Sequence, residues 1–196
     1  MAATRDRIIV ATNELFRRHG YNGTSLSQIS EASSATIGSI YHFFPGGKEA
    51  LAVAVVETTG AVYRELFESI VAEADNPAAA YTDFFAGAAA ALEESDFIDP
   101  CPIGTIAREV ANSSEQLRQA AKRAFDSWID AARSHLTAAG IPTDVANELA
   151  AVFVSTVEGV FVLSRTQRTT TPLTAAGRHL AALVEHAMTD AAKSRA

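Results

Sequence analysis

Cysteine is nearly absent: the chain has one, Cys101, in 196 residues. An internal disulfide framework is therefore excluded, and with no second thiol to resolve it Cys101 reads first as a buried, inert side chain. A long apolar run is also missing. The longest uncharged stretch, Ala32 to Gly47, is polar and rich in serine, and the first ten residues carry Arg5, Asp6 and Arg7 where a signal sequence would be apolar. These features predict a soluble, cytoplasmic protein with no membrane partner. Catalytic patterns are lacking as well. There is no Gly-x-Ser-x-Gly elbow and no phosphate-binding glycine loop. The histidines His19, His42, His135, His179 and His186 are scattered, without metal-ligand spacing. An enzyme, a metal site and a bound cofactor are not expected.

What is present is an ordinary globular composition, 48% hydrophobic and 20% charged, with enough apolar mass for a core. The net charge of −7 argues against nucleic acid, but it is unevenly distributed. Residues 1–50 hold five basic residues (Arg5, Arg7, Arg17, Arg18 and Lys48) against four acids, a net +1, whereas the remainder is net −8. Any contact with phosphate must fall to the first 50 residues. Apolar spacing is helical almost throughout, as in Ile8, Ala11, Thr12, Leu15 and Phe16, with no convincing period-two run. The punctuation at Gly20, Ser33-Ser34, Pro45-Gly46-Gly47, Asp75-Asn76-Pro77, Asp99-Pro100, Ser113-Ser114, Gly140 and Thr171-Pro172 divides the chain into about nine helices. Pro77 and Pro172 fit first helical turns, and Asp99-Pro100-Cys101-Pro102 reads as a rigid connection. The predicted fold is all-α, with a helix-turn-helix domain over 1–48 and a larger helical domain over 49–196.

Two short helices dominate the first part. One begins at Thr24-Ser25, where Ser25-x-x-Gln28 fits a capping box; the other spans about Thr36 to Phe43. A pair of this size joined by a short turn can lay its second helix in a DNA major groove. Ile37, Gly38, Ser39 and His42 give that helix a short or hydrogen-bonding outer face, and Ile29, Ile40 and Phe44 would hold the pair from beneath. The helix start at Thr24 and Ser25 offers N–H groups and hydroxyls to phosphate.

In order and spacing, Gly20-Tyr21, Thr24-Ser25, Ile29, Gly38, Ile40-Tyr41, Phe44 and Lys48-Glu49-Ala50-Leu51 resemble the TetR family of transcriptional regulators. Phe44-Pro45-Gly46-Gly47-Lys48, and Cys101-Pro102-Ile103-Gly104 followed by Glu109, resemble its LmrA/YxaF branch. The resemblance implies a homodimeric all-helical repressor on palindromic operator DNA, released by a small-molecule effector. It implies phosphate contacts for Thr24, Ser25, Tyr41 and Lys48, and base contacts for Ile37, Gly38, Ser39 and His42. Three positions depart from the family pattern. Ser34 stands where the turn is usually glycine, Ala35 where valine is usual, and Ile37 where lysine is frequent.

The later helices carry Tyr81, Phe84, Phe85, Phe97, Phe125, Trp128, Phe153 and Phe161, each individually more often core than ligand wall. As a group, with His135 and Glu158 as polar members and Cys101 and Ile103 from the branch resemblance, they form the expected site for a small apolar or aromatic effector. The last two helices are apolar on one face, through Leu149, Val152, Thr156, Val160 and Leu163 and then Leu180, Leu183, Val184 and Ala187. Burial in the monomer is one reading of these faces; pairing across a two-fold is the other. A ligand-binding helical protein with an idle helix-turn-helix is the competing function.

Overall fold

Helical periodicity and local capping decide the elements. The computed structural model describes residues 2–98 and 101–194, so Asp99 and Pro100 of the expected rigid connection lie outside the described residues. Among the described residues there are nine helices and no strand: α1 (Ala2–His19), α2 (Leu26–Ser33), α3 (Ile37–Phe43), α4 (Gly47–Glu73), α5 (Ala79–Glu94), α6 (Pro102–Val110), α7 (Glu115–Ala138), α8 (Thr143–Gln167) and α9 (Thr171–Lys193). Two helix starts fall a residue or two away from the punctuation in the sequence. Asn76 Oδ1 accepts from the amides of Ala78 and Ala79, both at 3.0 Å, in a turn through Pro77 that leads into α5. Thr170, not Thr171, precedes α9.

The chain divides into two compact units. One contains Met1–Val62 with Cys101–Ala124, the other Tyr63–Pro100 with Phe125–Ala196. Residues 1–48 lie in the first unit, which also takes the start of α4, all of α6 and the first part of α7. Its core is built from Ile8, Phe16, Ile29, Ile40, Leu51, Ile103, Ile106 and Leu117, all fully buried. Within this unit α1 packs on α2, α3 and α6. Here the large aliphatic side chains leave water for a close-packed interior, each contributing on the order of 1.5–3 kcal/mol.

The second unit is organised around α5, which packs on α9, and α9 in turn on α8. Its core joins Phe67, Tyr81, Phe85, Leu92, Leu136, Phe153, Leu173, Leu180 and Val184. Gly177 allows the close approach of α9 to α5, because a Cβ there would fall 2.9 Å from Phe85 Cβ. Among the described residues α8 is the one helix long and apolar enough, by composition, to cross a membrane. Its buried side is Ala146, Ala150, Phe153, Val154, Val157 and Phe161, which belong to this core.

Candidate nucleic-acid interface

The geometry of α2 and α3 follows from caps written into the sequence. Ser25 Oγ accepts from the Gln28 amide at 3.2 Å, and Gln28 Oε1 accepts from the Ser25 amide at 2.7 Å, completing the capping box. Helix α2 ends at Ser34, which holds the left-handed conformation (φ 50°, ψ 37°) that glycine usually supplies. The Ser34 amide donates to Glu31 O and the Ala35 amide to Ser30 O, both at 3.1 Å. Serine therefore makes here the turn that glycine makes in the family pattern. Thr36 then caps α3, its Oγ1 accepting from the Ser39 amide at 3.0 Å. Sequence reasoning left Thr36 out of the site, although a threonine three residues before a serine is an N-cap signal.

Helix α3 has two faces, four residues apart in register. Ile40 and Phe44 point inward and are buried with Ile29. Ile37, Gly38, Tyr41 and His42 are exposed, Ile37 at 43% and Tyr41 at 48%, and Ser39 is half-buried. Two large side chains standing in water on a seven-residue helix are costly unless something covers them. Tyr41 lies against Gly47 (φ 65°), where an added Cβ would sit 3.1 Å from a ring carbon. His42 meets Phe43 edge-on at 5.0 Å.

Lys48 opens α4 beside this face. Its Nζ sits 4.2 Å from the Tyr21 ring centroid. Burial lowers its pKa, and the Glu109 carboxylate pulls it partly back up. Burial, followed by the charge of Glu49, raises the pKa of Tyr21. The other basic residues of the segment have local partners. Arg7 Nε donates to Ser33 O at 2.9 Å, Arg5 lies 5.5 Å from the Phe44 ring centroid, and Arg17 and Arg18 bridge Glu14 at 3.0 and 2.6 Å.

The place of Thr24 corrects the sequence reading. Expected to present its hydroxyl to phosphate, it is 2% exposed, and its Oγ1 donates to Gly20 O at 2.8 Å. A hydroxyl spent on a buried carbonyl holds the turn into α2 and faces away from the surface. Ser25 remains exposed at the start of α2.

The expected effector residues fall in different places. Phe84, Phe85, Phe153 and Phe161 join the core of the second unit, with centroids 5.1 Å apart for Phe84–Phe153 and 6.0 Å for Phe85–Phe153. Phe125 and Trp128 meet edge-on at 5.3 Å, with Tyr63 at 6.0 Å from Trp128. Phe97 holds a left-handed backbone (φ 61°) beneath the Arg168 guanidinium. Glu158 is half-buried on α8, while Cys101 and Ile103 are buried in the first unit. Tyr81 is 1% exposed among Phe67, Phe153 and His135, and its hydroxyl has no hydrogen-bond partner among the described residues. Burial raises its pKa. His135 Nε2 is 3.0 Å from Pro77 O.

Of the residues expected at a dimer interface, Val152, Leu163 and Leu183 are exposed at 46, 50 and 48%, while Leu149, Thr156, Val160 and Ala187 are half-buried. Leu180 and Val184 are corrections: at 3% and 1% exposure they face α5 and α8 within the monomer's own core. The exposed strip of α8 continues through Ala151, Ser155, Gly159 and Val162.

The chain is similar to known proteins in family and fold. Residues 8–55 match the family model "Bacterial regulatory proteins, tetR family", and residues 77–179 match "Transcriptional regulator LmrA/YxaF-like, C-terminal domain". The chain is similar to the HTH-type transcriptional regulator YxaF of Bacillus subtilis, 34% identical over 92% of this chain and 95% of that protein. It is 32% identical to LmrA of the same organism, over 87% of this chain and 90% of that one. A crystal structure of a TetR transcriptional regulator from Chloroflexus aurantiacus superposes with a TM-score of 0.75 at 28% identity, covering 94% of this chain and 95% of that one.

Proposed function

The chain belongs to the TetR family of bacterial regulatory proteins and is a DNA-binding transcriptional regulator, and we propose that it acts as a cytoplasmic homodimeric repressor on a palindromic operator. The observation that carries this reading is the outer face of α3. Ile37, Gly38, Tyr41 and His42 stand exposed on one side of a capped helix whose other side is buried, a shape that presents a narrow edge to a major groove. Tyr41 and Lys48 reach phosphate, with Ser25 and the amides at the start of α2 adding donors. Ile37 and Gly38 meet base edges, Ile37 favouring a thymine methyl.

A two-fold places two such helices roughly 34–36 Å apart, or a multiple of that distance, on a palindrome. The apolar strip of α8 (Val152, Val162 and Leu163), with Leu183 of α9, supports pairing of these helices across that axis. The effector is a small apolar or aromatic molecule bound among the rings around Phe153, with the Tyr81 hydroxyl as a polar contact. It releases DNA by binding the DNA-incompetent state more tightly. Helix α4 has Lys48 near one end and Phe67, packed among those rings, near the other, so a ligand that displaces α4 there alters the DNA-reading end.

The test is a gel shift with a duplex from the region upstream of the protein's own gene, at defined salt, against a scrambled competitor of equal length. A discrete shift that survives the competitor and weakens in Tyr41→Ala supports the reading. Weak binding indifferent to sequence, together with tight ligand binding, favours a ligand-binding protein whose helix-turn-helix is idle.

A further inference from the structure

The turn between α1 and α2 is held from a distant part of the sequence. Helix α1 ends at Gly20, whose amide donates to Phe16 O at 2.9 Å and whose φ of 73° is left-handed. Two residues later the Asn22 amide donates to Glu109 Oε2 at 2.7 Å, across 87 positions of sequence. The same carboxylate covers Gly20 so closely that an added Cβ would fall 2.1 Å from Glu109 Oε1. The left-handed φ favours glycine at position 20, and any Cβ there would displace the Glu109 carboxylate from its seat. Thr24 completes the turn, its amide donating to Tyr21 O at 3.3 Å and its hydroxyl to Gly20 O, and Ser25 follows as the cap of α2.

The carboxylate takes a defined seat against this turn. The negative end of the α1 dipole lies at this turn and does not itself attract a carboxylate. Attraction comes from the Asn22 amide and from the nearby Lys48 ammonium, whose charged form Glu109 favours. A carboxylate serving only solubility would turn outward. Glu109 instead aims at the backbone immediately before the helix that starts the DNA-binding pair. The neighbouring α6–α7 corner makes further ties within the same unit. Ser114 Oγ donates to Glu49 and also caps α7, and Arg123 bridges Glu57 at 2.7 Å.

We propose that Glu109 is a positioning residue for DNA binding, a clamp from α6 onto the α1–α2 turn that sets where α2 begins. The proposal rests on the reading of α2 and α3 as the DNA-binding face. It makes α6 an element whose displacement reaches that face directly: a 2.7 Å hydrogen bond is lost on a shift of about 1 Å, which frees the Asn22 amide and the turn.

The experiment compares Glu109→Ala, Glu109→Asp and Glu109→Gln in the full-length protein, with Tyr41→Ala as the reference for the DNA face. Two quantities are read: hydrogen exchange at the Asn22 amide, and affinity for the labelled upstream duplex at fixed salt. Losing a hydrogen bond to a charged acceptor should speed Asn22 exchange and weaken DNA binding, each about tenfold, in Glu109→Ala. Glu109→Asp keeps the charge but is one methylene short, and should fall with Ala. Glu109→Gln keeps an acceptor oxygen at the right reach, and should hold both quantities within about threefold of the parent. The Asp and Gln variants carry the test if the Ala variant fails to fold. Unchanged Asn22 exchange or unchanged affinity in Glu109→Ala and Glu109→Asp, while Tyr41→Ala weakens binding, overturns the clamp. So does a Gln variant as weak as Ala. If Tyr41→Ala also binds normally, the DNA-face reading has failed and the positioning role falls with it.

Discussion

Replacing Ser34 by glycine should stabilise this protein, although glycine usually weakens a chain. Ser34 ends α2 at φ 50° and ψ 37°, is exposed, and contributes through its backbone amide rather than its side chain. An L-residue with a Cβ pays about 1–2 kcal/mol in this region, and glycine pays nothing there. Glycine also loosens the unfolded chain, which returns roughly 0.4–1 kcal/mol. The net gain is about 0.5–1 kcal/mol. For a chain of this length that is a rise in Tm of about 1–4 °C. Calorimetry of both proteins at one concentration, with the operator gel shift alongside, measures stability and function together. DNA affinity should be unchanged, because serine already makes the turn. Ser34→Val, β-branched and intolerant of positive φ, should move Tm down. A glycine variant with an unchanged or lower Tm would refute the reasoning, since the serine would then carry no strain.

Three other substitutions probe separate parts of the argument. Thr24→Val removes a buried donor to Gly20 O and should cost about 1–3 kcal/mol of stability, while leaving DNA affinity at fixed salt unchanged wherever the protein is folded; a drop in affinity of about fivefold or more in the folded variant would return Thr24 to the phosphate contacts. Ile37→Lys restores a charge at the exposed start of α3 and should steepen the salt dependence by about one phosphate contact, read from titrations at several salt concentrations. Leu163→Asp puts a charge on the exposed strip of α8, counted twice across a two-fold, and should raise the dimer dissociation constant roughly 100-fold or more in sedimentation equilibrium; an unchanged association state would remove α8 from the interface.

The elements of this protein were largely legible in its sequence because their causes are local. The Ser25–Gln28 capping box, the glycine stop at Gly20 and the 3.6-residue apolar spacing each act within a turn or two of helix, so residue order alone specifies them. The split of α3 into an inner Ile40–Phe44 side and an outer Ile37–Tyr41 side is likewise periodicity. What the tertiary structure decided is which way ambiguous residues turn. Thr24 is a good phosphate donor by type, yet it faces Gly20 O because the turn before α2 folds back on α1. Leu180 and Leu183 look alike in a helical wheel, but the packing of α9 on α5 buries the first and leaves the second in water. Glu109 and Asn22 have no local relation at all. The carboxylate finds that amide only because α6 packs on α1, and a contact spanning 87 residues is set by how helices stack and not by how any one of them forms.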